Sequence, residues 1–219
     1  MSVETVPAPD AKVRPEGARM RLLRAAEWLI VHKGVHALTI RLVAAKAEAN
    51  TALIGYHFGG ADGLLAELAR LNAEPILADQ RRRLSEALAA DGRPEALDLL
   101  IEALLRPLWR EAALNPGERA LVVVDEITSR AEPALREEVW SWFAHTVGPI
   151  AEALGRRLPH LDPETVMWRV RFLSAAALDL PPRSARGALP PPRGVLAGAD
   201  PEARYRQFFA FAKGALLAG

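Results

Sequence analysis

Apolar side chains recur at helical spacing through most of this chain. Leu22, Ala26, Leu29 and Ile30 fall on one face of a helix predicted over 16–32. Gly34 follows as a stop, because glycine enters left-handed backbone without the penalty a Cβ imposes. Ile40, Val43, Ala44 and Ala47 outline a second, short helix, and the Thr39 hydroxyl is placed to cap it. Thr51 reads as the cap of a third, whose inner side carries Ile54 and Phe58. Gly59, Gly60 and Gly63 bracket a break. A long helix is then predicted from Ala61 towards Leu88, with Pro75 expected to kink or split it. Further helices are predicted at 94–113, 117–130, 133–158, 162–180 and 201–217, with Pro107 and Pro149 interrupting two of them. Asp162 and Asp200 each precede a proline and read as N-caps. No alternating strand pattern of useful length occurs, so the fold class is all-α.

Two stretches lack periodicity. Residues 1–15 carry three prolines and read as a flexible arm. Residues 181–200 hold five prolines and three glycines and read as a loop. The organisation predicted is an arm at 1–15, a unit of three short helices at 16–60, and a larger helical unit at 61–219.

The third helix carries the chemistry. Three short helices, with the second and third joined by a tight turn, are the arithmetic of a helix-turn-helix. The third keeps an outward face of Thr51, Ala52, Gly55 and Tyr56. Small residues let such a helix sit deep in a major groove. Thr51 can hydrogen-bond a base edge or a phosphate, and Ala52 and Leu53 can touch a thymine methyl. Tyr56 and His57 are placed for phosphate oxygens, which position a protein without reading sequence.

Charge distribution supports this. Net charge is only +1, but residues 11–46 hold eight basic side chains against two acidic ones. Arg41 and Lys46, on the second helix, belong to that block. A basic block on an otherwise acidic chain suggests one surface facing a polyanion. The bland reading is a solvated face leading into the first helix.

Enzymatic classes find little support. There is no cysteine, which removes disulfides, thiolate zinc sites and cysteine nucleophiles and fits a reducing cytoplasm. No HExxH, P-loop or GxSxG is present. His32 and His36 have a spacing that can suit a metal, but Gly34 between them breaks the shared helical face. No metal site or cofactor is predicted. The N-terminus shows no apolar core of a secretory signal, and no run of about 18 apolar residues marks a membrane span.

Several spaced signals now agree in order. Leu22-Leu23-Arg24-Ala25-Ala26, then Gly34, Thr39-Ile40-Arg41-Leu42-Val43-Ala44, Ala47, Asn50, and Tyr56-His57-Phe58-Gly59-Gly60 with Leu64 resemble the DNA-binding domain of TetR-family regulators over residues 19–65. That resemblance implies a homodimer with two DNA-binding heads on a palindromic operator of double-stranded DNA. It also implies a repressor released by a small-molecule effector. The recognition helix would correspond to Thr51–His57, with Thr39 and the Tyr56-His57 pair on phosphates. The chain departs from the family pattern at Glu48 (usually glycine), Gly55 (often tyrosine) and Ala61 (usually lysine).

In the C-terminal part, Leu104, Leu108, Trp109, Val123, Ile127, Trp142 and Phe143 are candidates to line a pocket for an apolar or aromatic effector. Arg106, Asp125 or His145 could orient its polar end. Two apolar stripes, Trp168, Phe172, Ala175 and Ala176, and Phe208, Phe211, Ala212 and Ala215, suit a four-helix dimer interface. The alternative is that both stripes bury within one subunit. A second functional reading stays open: a chromosome-organising or partner-recruiting DNA-binding protein without a small ligand.

Overall fold

The computed structural model describes residues 17–179 and 200–218. The expected arm at 1–15 and nearly all of the expected loop at 181–200 lie outside the described residues. In chain order the helices are α1 (Ala18–Lys33), α2 (Ile40–Lys46), α3 (Ala52–Phe58), α4 (Ala61–Ala89), α5 (Ala96–Leu105), α6 (Ala120–Arg130), α7 (Pro133–Arg157), α8 (Pro163–Asp179) and α9 (Pro201–Leu217). Among the described residues the extended pairing consists of one isolated antiparallel bridge, Glu111 to Arg119.

The helix ends follow from local chemistry. Gly34, at φ +87°, closes α1, and its N–H donates back to the carbonyls of Leu29 and Ile30. Asp162 accepts from the Thr165 N–H at 2.9 Å ahead of α8. Asp200 accepts from the N–H groups of Glu202 and Ala203 at the start of α9.

Two expectations need correction. Pro75 neither ends nor splits α4, which runs unbroken for 29 residues. Its ring removes one hydrogen bond, but Ala73, Ile76 and Leu77 are buried around it and hold the helix. Pro149 likewise lies inside a continuous α7. Pro107 does interrupt: α5 stops at Leu105 and passes into a 3-10 turn over Arg106–Trp109.

Among the described residues the apolar core has two lobes. One is built from α5, α7, α8 and α9 around Leu100, Leu104, Ile150, Leu154, Val170 and Phe208. The other joins Leu22, Leu29 and Ile30 of α1, Val43 of α2 and Ile54 of α3 to Leu64 and Leu68 of α4. It continues without a break into Val123 and Ile127 of α6 and Val139 of α7. The expected boundary at residue 60 therefore falls inside one apolar cluster.

The corner between α3 and α4 is set by three glycines. Gly59 (φ +73°) and Gly60 (φ +136°) turn the chain through left-handed backbone. Gly63 then lets α4 pass close to α3: a Cβ there would stand 1.8 Å from the Phe58 carbonyl oxygen. Gly63→Ala must push the two helices apart. It should cost about 1–3 kcal/mol, as overpacking generally does. For a chain of this size that lowers Tm by roughly 2–4 °C per kcal/mol in a thermal melt. An unchanged Tm would show that the corner has slack.

Candidate nucleic-acid interface

The candidate interface is a short stretch, residues 39–58. Thr39 has extended backbone, and its Oγ1 accepts from the Leu42 N–H at 3.2 Å, capping α2. Val43, Ala44 and Ala47 face inward. The chain then turns through Glu48, the one non-glycine residue at positive φ (+50°) among the described residues. Left-handed backbone brings Cβ against the following carbonyl, so the turn carries strain that glycine would not.

The cap of α3 differs from expectation. Thr51 already has helical backbone and makes no capping bond. Asn50 caps instead, its Oδ1 accepting from the Ala52 N–H at 2.8 Å. Asparagine and threonine are both good caps, so adjacent candidates are not separable by type alone. The consequence is that the Thr51 side chain stays on the outer face, uncommitted to the cap.

Ile54 anchors α3 with its side chain fully buried, and Leu53 and Phe58 lie half-buried against the same core. Thr51, Ala52, Gly55 and Tyr56 are exposed, Tyr56 at 82%. The His57 ring meets Tyr56 edge-on at 5.0 Å and Phe58 at 6.0 Å. Thr39 and Arg41 are exposed as well. Thr39 and Arg41, at the start of α2, and the outer face of α3 thus stand at the surface. Leu53 is turned further inward than its neighbours.

Lys46 has a different setting. Its Nζ sits 3.5 Å from the centre of the Trp28 ring, on α1. His32 stacks on Trp28 at 4.3 Å.

Part of the basic block serves internal ties. Arg21 Nε donates to the Ala47 carbonyl at 3.2 Å, fastening α1 to the end of α2. Arg24 Nη1 donates to the Leu114 carbonyl at 2.5 Å. Arg19 pairs with Glu67 of α4, its guanidinium 5.5 Å from the Phe58 ring centre. Counting charges along the chain does not reveal this, because each tie joins residues distant in sequence.

The candidate effector residues separate in space. Leu104, Leu108 and Trp109 belong to the lobe around α5, whereas Val123, Ile127 and Trp142 belong to the lobe around α6. Phe143 touches both. Four of the seven, Leu104, Leu108, Val123 and Ile127, are fully packed in these lobes. Trp109 is stacked on Phe208 at 5.5 Å. Trp142 lines a cleft of about 440 Å³ between α4 and α7, with Arg70, Leu77, Arg81 and His145. Of the polar candidates, Arg106 pairs with Glu202 at 2.8 Å, and His145 lies on that cleft.

The candidate dimer residues also divide. Trp168, Phe172 and Phe211 are exposed at 49%, 63% and 64%. Ala176 and Ala215 are half-buried, and Ala175 is exposed. Phe208 and Ala212 instead bury within the subunit, because the side of α9 that carries them faces α5 and the turn after it.

Comparison with known proteins bears on both halves. Residues 22–68 match the family described as "Bacterial regulatory proteins, tetR family". Residues 102–215 match "Tetracyclin repressor-like, C-terminal domain". The HTH-type transcriptional regulator BetI of Vibrio campbellii is 32% identical over 88 residues, 40% of this chain and 44% of that protein. BetI of Vibrio parahaemolyticus is 31% identical over the same length. The match thus spans less than half the length of either relative. The crystal structure of the TetR family transcriptional regulator PfmR from Thermus thermophilus has the same fold, with a TM-score of 0.62 at 18% identity, covering 90% of this chain and 94% of that one. A TetR-family regulator from Rhodococcus sp. aligns with a TM-score of 0.53 at 22% identity, covering 91% and 96%.

Glu48→Gly relieves left-handed strain of about 1–2 kcal/mol. It also frees the unfolded chain, which offsets about 0.4–1 kcal/mol. The net outcome expected is a Tm raised by roughly 2 °C. Removing a carboxylate beside the interface should also tighten DNA binding, more so at low salt. A lowered Tm would show that the turn is held by contacts of the Glu48 side chain.

Proposed function

The chain belongs to the TetR family of bacterial regulatory proteins, and from that premise we propose that it is a homodimeric, ligand-responsive repressor. Two copies of α3 enter successive major grooves of a palindromic operator. The observation that carries this reading is the division of α3 itself. Ile54 is wholly buried beneath it, while Thr51, Ala52, Gly55 and Tyr56 form a free outer face with little bulk near the backbone. A helix so divided can approach base edges closely without losing its anchor.

Roles follow from position. Thr51 and Ala52, at the start of α3, read bases. Tyr56 and His57, at its end, and Thr39 and Arg41 hold phosphates. Lys46 adds charge from the far end of α2. Ala61 offers no cation at the start of α4, so the number of phosphate contacts is lower than the family pattern supplies.

The outward stripe of Trp168, Phe172 and Phe211 forms the contact between subunits. Trp168 stacks on Phe172 at 5.7 Å, which gives α8 a flat aromatic face. Large apolar groups left in water on two neighbouring helices favour burial against a second copy. The effector acts in the helical half after α4. Trp142 makes the cleft between α4 and α7 the entrance on which an aromatic or apolar molecule can stack. A ligand preferring a different tilt of α4 spoils the separation of the two heads, set by half-sites about 34 Å apart. No helix among the described residues is long and apolar enough to cross a membrane, and the protein is proposed to act in the cytoplasm.

Footprinting on DNA upstream of its own coding region, repeated over salt, tests the interface. Tyr56→Ala and His57→Ala should weaken binding to all sequences alike with little change in the salt slope, because that slope is set by the phosphates that lysine and arginine neutralise. Thr51→Ala should change which sequences are preferred. Unaltered binding by all three variants removes the assignment. For the assembly, Phe172→Asp should yield monomers in sedimentation and lose operator affinity, since one head holds only half a site. A variant that stays dimeric would place the interface elsewhere.

A further inference from the structure

Glu27 lies in the middle of α1 with no exposed surface, among leucines and alanines that form the core of the head. A carboxylate is costly there unless its oxygens are met by donors. They are met from two other parts of the chain. Asn72 Nδ2, on α4, donates to Oε1 at 2.8 Å. The Leu114 N–H and Asn115 Nδ2 donate to Oε2 at 3.0 and 2.8 Å. Asn72 is itself fully buried, and its Oδ1 accepts from the Ala113 N–H at 3.0 Å. Glu27 and Asn72 therefore grip the backbone N–H groups of Ala113 and Leu114 and the side chain of Asn115 from the head side. Arg24 adds a third tie, to the Leu114 carbonyl.

The gripped segment is a closed loop between the turn after α5 and the start of α6. The Ala112 N–H donates to Glu118 O at 2.7 Å, and the Ala120 N–H to Arg110 O at 3.1 Å, so its two limbs pair with each other. Its other end is fastened to the regulatory half. Arg119 donates to Leu108 O at 2.5 Å and to Ala177 O, on α8, at 2.7 Å. The same guanidinium lies 4.4 Å from the centre of the Trp109 ring, which stacks in turn on Phe208 of α9.

We propose that residues 110–119 are a strut carrying the packing state of the α8–α9 core to the DNA-binding head, and that Glu27 is the positioning residue at its head end. The strut runs alongside α4 and joins the two halves by hydrogen bonds rather than by continuous helix. A rearrangement around Trp109 pulls on Arg119, and the paired limbs pass the displacement to α1 through one carboxylate. This rests on the regulator reading only in naming the head as the DNA-binding part.

Native-state hydrogen exchange on the full chain, without DNA or effector, tests it. In the wild type, the amides of Ala113 and Leu114 should open together with those of the α1 core, as one cooperative unit. Glu27→Gln turns an acceptor into a donor facing Asn72. It should speed exchange at 113–114 by about tenfold or more relative to α1. Trp109→Ala should lower protection in α1, and should do so much less when combined with Glu27→Gln. Should Glu27→Gln fail to fold, Asn115→Ala, which removes one donor to Glu27, gives the same comparison. Separate opening of the loop and α1 in the wild type overturns the strut, as does a Trp109→Ala effect that never reaches α1. Failure of the operator reading would appear in the footprint and leave these exchange patterns as they are.

Discussion

The architecture depends on how a seven-residue helix is held. A helix as short as α3 is not stable alone in water, because nucleation costs more than two turns return. Its direction is therefore set by docking. Ile54 is the single fully buried side chain of α3 and enters the core shared by α1 and α4. Asn50 satisfies its first turn, and the glycines at 59, 60 and 63 let α4 fold back against it. With one edge pinned at so few points, the opposite edge is left free for another molecule.

The head is not a separate bead on the regulatory half. The apolar cluster under α3 runs on into α6 and α7, so displacing those helices disturbs packing that also orients the head. A buried polar junction crosses the same boundary at Glu27 and Asn72. Apolar contact is tolerant of small shifts, whereas hydrogen bonds lose strength steeply with angle and distance. A seam with both kinds of contact holds the two halves together and also selects one relative orientation.

Much of the fold was legible along the chain. The periodicity of Leu22, Ala26, Leu29 and Ile30 and the caps at Thr39, Asp162 and Asp200 place helices close to where they occur. The outer face of α3 could be read in part: Ile54 and Phe58 mark its inner side, whereas Leu53, expected at a thymine methyl, is half-buried against the same core. Pro75 and Pro149 misled, since proline's local cost was outweighed by burial on both sides of each ring. The cap of α3 was assigned one residue late. The pocket candidates were grouped by apolar character, which does not distinguish two lobes of core.

The order of helices, the short three-helix head and the split between buried and free sides of α3 were determined by sequence, since each depends on spacing within a turn or two. Tertiary structure alone decided which aromatics face outward, as Phe172 and Phe211 do while Phe208 does not. It alone decided that Arg21 and Arg24 tie the chain to itself, and that Glu27 meets Asn72 and Leu114. Those partners are separated by between 26 and 90 residues. Helical periodicity reports which side of a segment is apolar, but which distant segment comes to lie against it is settled only when the whole core packs.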